Sequence, residues 1–207
     1  MRKLILFVIL GLNFYSESYA ASEQVFKINN TEAGRLSVYE FSAAYGLNAT
    51  AAYKSVSVGN NAGNAQTEAV AVGESAKSQF QSVSIGSSAQ NSGTESVAVG
   101  ASASSAFQAV AVGKSALATQ NGTVAIGQNA KANVNQNATS IGQNSTASGQ
   151  NSTAIGQGAT ASAINATAVG YNTTASQNNT VILGNGANVG IGTSAPNNKL
   201  EITQGTA

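Results

Sequence analysis

Val97-Ala98-Val99-Gly100 is one copy of a pulse that the chain writes again and again. Strong copies are Val56-Ser57-Val58-Gly59, Val70-Ala71-Val72-Gly73, Val83-Ser84-Ile85-Gly86, Val110-Ala111-Val112-Gly113 and Val124-Ala125-Ile126-Gly127. Weaker ones follow: Thr139-Ser140-Ile141-Gly142, Thr153-Ala154-Ile155-Gly156, Thr167-Ala168-Val169-Gly170 and Val181-Ile182-Leu183-Gly184. Successive glycines of the ten are 13 to 15 residues apart. A period so short and so regular means stacked, equivalent units.

Within a unit, branched apolar residues stand one and three places before the glycine, with Ala or Ser between them. That is strand alternation with one bulky and one small face. The other half of the unit is marked too: a small residue recurs three places after the glycine (Ala62, Ala76, Ala89, Ala103) and another two places on (Ala118, Ala132, Ala147). Each unit therefore holds two short strands and two turns, and fourteen residues leave no room for a helix. The expected fold is all-β, a parallel β-solenoid in the form of a flat two-sided β-roll. It would hold about ten rungs spaced ~4.8 Å apart. The branched residues are expected to face a thin interior, and the small column Ser57, Ala71, Ser84, Ala98 and Ala111 to face outward. Asn and Gly after the repeat glycine, as in Gln128-Asn129 and Asn185-Gly186, suit a turn with positive φ. Length changes fall in the opposite turn. Five places before the glycine stand Asn137, Asn151, Asn165 and Asn179, a column that either bonds amide to amide along the stack or is simply solvated.

Composition excludes several classes. The 207 residues carry a formal net charge of +1, 8% are charged, and Cys, Trp and His are absent. Every acid is a Glu. Without a basic stripe there is nothing to neutralise nucleic-acid phosphates. Without His, Cys or Asp there is no common catalytic triad, thiolate or zinc set. No cofactor is expected. Residues 1–20 read as a signal peptide: Arg2 and Lys3, an apolar run from Leu4 to Leu12, and Ser18-Tyr19-Ala20 before a cut after Ala20. A retained anchor is the alternative, and no other stretch is long and apolar enough for a membrane span. Residues 21–54, with Phe26, Tyr39, Phe41, Tyr45 and Tyr53, read as an N-terminal β cap over the open strand edge. Its expected strands are Val25–Ile28 and Leu36–Phe41. The array is assigned to 55–187 and a C-terminal junction to 188–207. There, Gly190-Ile191-Gly192 reads as a turn and Lys199-Leu200-Glu201-Ile202 as one last strand.

Thr94-Glu95-Ser96-Val97-Ala98-Val99-Gly100 and Asn151-Ser152-Thr153-Ala154-Ile155-Gly156 resemble the head repeat of YadA-like trimeric autotransporter adhesins. The resemblance spans residues 53–187. It implies a left-handed β-roll, a homotrimer, a secreted or cell-surface location, and attachment to host matrix proteins, cells or glycans. Neither handedness nor trimer follows from the period. The family's neck, heptad stalk and membrane-barrel segment are not found, so the expectation is either a truncated adhesin or a secreted head held by something else.

One column suggests a binding face. Tyr53, Phe80 and Phe107 each stand six places before a repeat glycine, on every second rung, with Thr67-Glu68 and Thr94-Glu95 between. A spaced aromatic stripe suits ligand binding, and packing at a turn or between protomers is the competing role. Tyr53, Phe80, Phe107, Glu68 and Glu95 are the candidate ligand-binding residues. Glu68 and Glu95 lie two rungs apart, roughly 9–10 Å, a separation compatible with an inverting glycosidase. Exposed carboxylates on a repeat face are more commonly plain solvated charges. A non-adhesive surface-layer, biofilm or tail-fibre-like scaffold is the main alternative function. Ice binding through Thr139, Thr153 and Thr167 is a more distant one, because those residues replace valines read as core-facing.

Overall fold

The computed structural model describes residues 42–64 and 66–203, and strand segments between residues 5 and 28. Of the stretch read as a leader, only the strands Ile5–Ile9, Leu12–Ser16 and Ser18–Tyr19 are described, the first two paired antiparallel. Of the strand expected at Val25–Ile28, Lys27–Ile28 is described as strand, and the strand expected at Leu36–Phe41 lies outside the described residues. The chain divides into two compact units, Met1–Ser105 and Ala106–Ala207.

In the first unit the three-residue strands Ala43–Tyr45, Val56–Val58, Val70–Val72, Val83–Ile85 and Val97–Val99 pair in parallel and in register. A second series of two-residue strands, Gly63–Asn64, Lys77–Ser78, Gln90–Asn91 and Ser104–Ser105, pairs in the same way. The second unit repeats the plan, from Val110–Val112 to Val181–Leu183 in the long series and from Leu117–Ala118 to Thr174–Ala175 in the short one. Both units are thus parallel β-solenoids. One rung, Ala43–Tyr45 with Gly46, lies within the stretch read as a cap. It lacks the branched residues that mark the other rungs.

Both corners of a rung are four-residue turns whose third residue has positive φ. At one corner Ala62 N–H donates to Gly59 O over Asn61, which has φ 55°. At the other, Ser55 N–H donates to Ala52 O over Lys54, with φ 52°. The left-handed residue then donates its own N–H to the preceding rung, as Glu68 does to Tyr53 O at 3.0 Å and Ser75 to Asn60 O at 2.8 Å. Turns as well as strands are therefore laddered along the stack. The repeat glycine serves a separate need. At Gly142, φ is +134° and a Cβ would stand 2.4 Å from Gly156 O. The backbones of successive rungs touch at this corner, and only hydrogen fits.

The interior reverses the sequence-based assignment of faces. Ala71, Ala98, Ala111, Ala125, Ala154 and Ala168, the small middle residues of the long strands, are fully buried. Their branched neighbours face outward: Val97 and Val99 are partly exposed and Ile85 is 41% exposed. The cause is width. Ser84 Oγ on a long strand reaches Lys77 O on the short strand across the roll at 2.6 Å. Two sheets held this close by tight corners leave room for Ala and Ser at the middle of the long strands. Among the described residues the largest fully buried side chains, Thr123 and Thr173, sit instead at the ends of turns, where their hydroxyls donate to Gln120 O and Val169 O. The last strand of the long series departs from this rule at its middle residue: Ile182 pairs with Ala168 at the inward position, and with no further rung among the described residues paired to its strand it stays 38% exposed.

The first unit carries more polar groups inside. Asn91, 3% exposed, donates to Ser84 Oγ at 2.8 Å and accepts from Ser105 Oγ. Ser78 Oγ joins Ser84 Oγ at 3.2 Å. These groups satisfy one another, as buried polar atoms must.

Beyond the array, Val189–Ile191 and Leu200–Ile202 form a parallel pair. Leu200–Ile202 is the expected last strand. Gly190-Ile191 belongs to a strand and not to a turn, and only Gly192, with φ +76°, bends the chain.

Candidate functional site in the turn column

The corner ahead of each long strand places the candidate residues. In the first unit Tyr53 and Phe80 occupy the second position of this turn, on rungs separated by the one that bears Thr67. Tyr53 is 38% exposed and Phe80 partly so. Glu68 and Glu95 fill the following, left-handed position, with φ 58° and 55°. The same position on the neighbouring rungs carries Lys54 and Gln81, which sequence reading did not single out. Lys54 Nζ lies 3.8 Å from Glu68 Oε1 and 5.1 Å from the centroid of the Tyr53 ring. Gln81 Nε2 donates to Glu68 Oε2 at 2.9 Å. The row Lys54–Glu68–Gln81 is thus a connected polar strip beside the aromatic column. Its signal was present in the sequence as one repeat position filled by Lys, Glu and Gln in turn. In the second unit Phe107 stands at the matching turn position, 40% exposed.

Further along the second unit asparagines take over the left-handed position. Asn137 Nδ2 donates to Asn151 Oδ1 at 3.4 Å, Asn151 to Asn165 at 3.2 Å and Asn165 to Asn179 at 2.8 Å. The stacked reading of this column therefore holds. These residues also have φ between 54° and 58°, a conformation that Asn tolerates better than most side chains. At the opposite corner Gln157 donates to Gln143 at 3.3 Å and Gln143 to Gln128 at 3.4 Å, a second amide ladder.

One further surface follows from the reversed faces. The long-strand series turns its branched residues outward in two columns, and in the second unit one of them mixes Val110, Val124 and Val181 with threonines. Thr139, Thr153 and Thr167 lie on that outward face too, partly exposed, so their expected core position is corrected. Their neighbours across the strand are Ile141, Ile155 and Val169, so this sheet carries a single threonine rank. Among the described residues no group of three His, Cys, Asp or Glu could hold a metal ion. No helix there is long and apolar enough to cross a membrane, which says nothing of a β-barrel.

Comparison with known proteins agrees with this geometry. The family model for the YadA head domain repeat matches residues 78–103, 104–130, 135–159 and 161–187, half of the chain. Among solved structures, the chain is similar to the collagen-binding domain of the Yersinia adhesin YadA, with 27% sequence identity and a TM-score of 0.56. That match covers 66% of this chain and 77% of the Yersinia domain. Comparison with curated proteins gives no match. With parallel rungs, a glycine at one corner of each rung and four stretches fitted by the repeat model, the chain belongs to the YadA head-repeat family.

Proposed function

We propose that the protein is a non-catalytic, homotrimeric adhesive head, displayed at the cell surface or secreted, that attaches to host matrix protein or glycan through its repeated turn columns. The observation that carries this reading is the outward placement of Val and Ile on the long strands. Ile85, Ile126, Ile141 and Ile155 are each exposed while the interior holds little beyond Ala and Ser. A roll with so narrow a core buries little apolar surface for its length. Parallel columns of branched side chains supply the missing burial when a second copy is set against them, and flat self-similar ridges suit copies of the same chain. Assembly multiplies every surface column, so weak contacts combine into avid attachment. Membership of the head-repeat family and the likeness to a collagen-binding domain support the adhesive role. Tyr53, Phe80, Phe107, Glu68 and Glu95 remain the proposed contact residues.

Light scattering on the chain without residues 1–20 tests assembly, and binding to immobilised collagen and other matrix proteins tests attachment. A trimer that binds one of these surfaces, and loses binding with Phe80→Ala and Phe107→Ala, is the expected result. A stable monomer at micromolar concentration overturns the assembly. A trimer that binds no host surface favours a scaffold.

A further inference from the structure

We propose that the turn column of the first unit is a linear site for an extended β-1,4-linked polysaccharide, whose sugar rings stack on Tyr53 and Phe80 while Lys54, Glu68 and Gln81 bond its hydroxyls. The proposal rests on the adhesive reading above and names the ligand class of one of its columns. Tyr53 and Phe80 hold the same turn position two rungs apart, roughly 9–10 Å along the stack, and Thr67 between them is short and partly buried. The rings are thus separate platforms with a polar gap, unlike the contiguous desolvated cluster at the centre of a protein–protein interface. A pyranose offers an apolar C–H face that lies flat on an aromatic ring. In an extended β-1,4-linked chain successive sugars are flipped, so the same face returns once per disaccharide, a length close to two rungs. A chain lying along the stack therefore brings like faces to Tyr53 and then to Phe80.

The polar strip suits the same ligand. Glu68 is already held from both sides, by Gln81 at 2.9 Å and by Lys54 at 3.8 Å. A carboxylate, an ammonium group and a carboxamide set in line give acceptors and donors for vicinal hydroxyls, with lone pairs and N–H groups left over. The positions are fixed beforehand: Glu68, Gln81 and Glu95 donate their backbone N–H groups to the carbonyls of Tyr53, Thr67 and Phe80 at 3.0, 3.1 and 3.2 Å. Such a site loses little freedom on binding. The chain's near-zero net charge favours a neutral polymer over a sulfated or phosphorylated one.

The experiment uses the assembled full chain with chito- and cello-oligosaccharides of increasing length, followed by calorimetry, with collagen as the comparison ligand. Binding should strengthen with length until both rings are spanned and should change little with salt. Tyr53→Ala and Phe80→Ala should each weaken it about tenfold, and Phe80→Tyr should keep it. Phe80-dependent binding to collagen, with no binding to either oligosaccharide series, overturns the ligand class and leaves the adhesive reading standing. Dissociation of the assembly by Phe80→Ala places the ring between protomers and overturns the site. An intact assembly that binds neither the oligosaccharides nor collagen overturns the polysaccharide site and leaves the adhesive reading to its test on the other matrix proteins.

Discussion

Replacing Gly142 by Ala is expected to unstack a rung. The residue has φ +134°, where an L side chain is strained by about 1–3 kcal/mol. The added Cβ would stand 2.4 Å from Gly156 O, 2.5 Å from Gly156 C and 3.1 Å from Gln157 N. All three are backbone atoms of the next rung, so no rotamer change relieves the contact, and forced overpacking of this kind costs about 1–3 kcal/mol more. The two effects together give about 2–6 kcal/mol. Gly186→Ala is the control. It has φ +71° and no atom within 4 Å of a Cβ, so only left-handed strain applies, about 1–2 kcal/mol. Urea unfolding followed by circular dichroism gives both values. In a stacked array the loss should concentrate at neighbouring rungs, so amide exchange should quicken on the rungs around Gly142 and Gly156. A Gly142→Ala protein no less stable than Gly186→Ala would refute rung-to-rung contact at the glycine corner.

Other substitutions test the remaining parts. Ala98→Leu should cost about 1–3 kcal/mol because the interior cannot widen, whereas Val99→Asp should still fold, seen by circular dichroism, and should lose self-association, seen by light scattering. Asn151→Ala removes its bonds to Asn137 and Asn165 and puts Ala at φ 55°, a combined loss of about 1–2 kcal/mol. Asn151→Gly, which relieves the φ, should lose less in the same urea titration. Asn91→Ala strips Ser105 of its acceptor inside the roll and should cost about 1–3 kcal/mol, against no change for the exposed Ser102→Ala. The Lys54–Glu68 ion pair is part exposed, so going from low to high salt should move the melting temperature by a few degrees at most.

The rung was legible because its markers are steric. A glycine that tolerates no Cβ must recur at one corner of each rung and a third turn residue with positive φ at both, so the period survives even where Thr139 or Thr153 replaces valine. Ala43-Ala44-Tyr45-Gly46 escaped notice because it keeps the glycine and loses the branched residues. The strip Lys54–Glu68–Gln81 escaped because its members differ in kind. What they share is a backbone conformation that any side chain able to bear positive φ can adopt.

The faces were not legible, for a different reason. Alternation with a period of two says which residues share a side. It does not say which side is inside. Hydrophobicity votes for Val97 and Val99, and in a wide sandwich that vote would stand. Here the choice is made by the distance between two strands joined by four-residue corners, and that distance accepts Ala98 and rejects valine. Once the interior belongs to alanine, the branched residues must lie on the surface of each unit. The two strand series then differ in character. The long strands show mainly Val and Ile outward, joined in the second unit by Thr139, Thr153 and Thr167, while the short strands show Lys77, Gln90, Ser104, Thr146 and Thr160, with Leu117 the apolar exception. A roll with one apolar and one polar side has a preferred orientation in any assembly: the valine side turns toward other copies and the polar side toward solvent. The face reversal that defeats the simplest reading of the pattern is therefore the feature that gives the proposed trimer its inside and its outside.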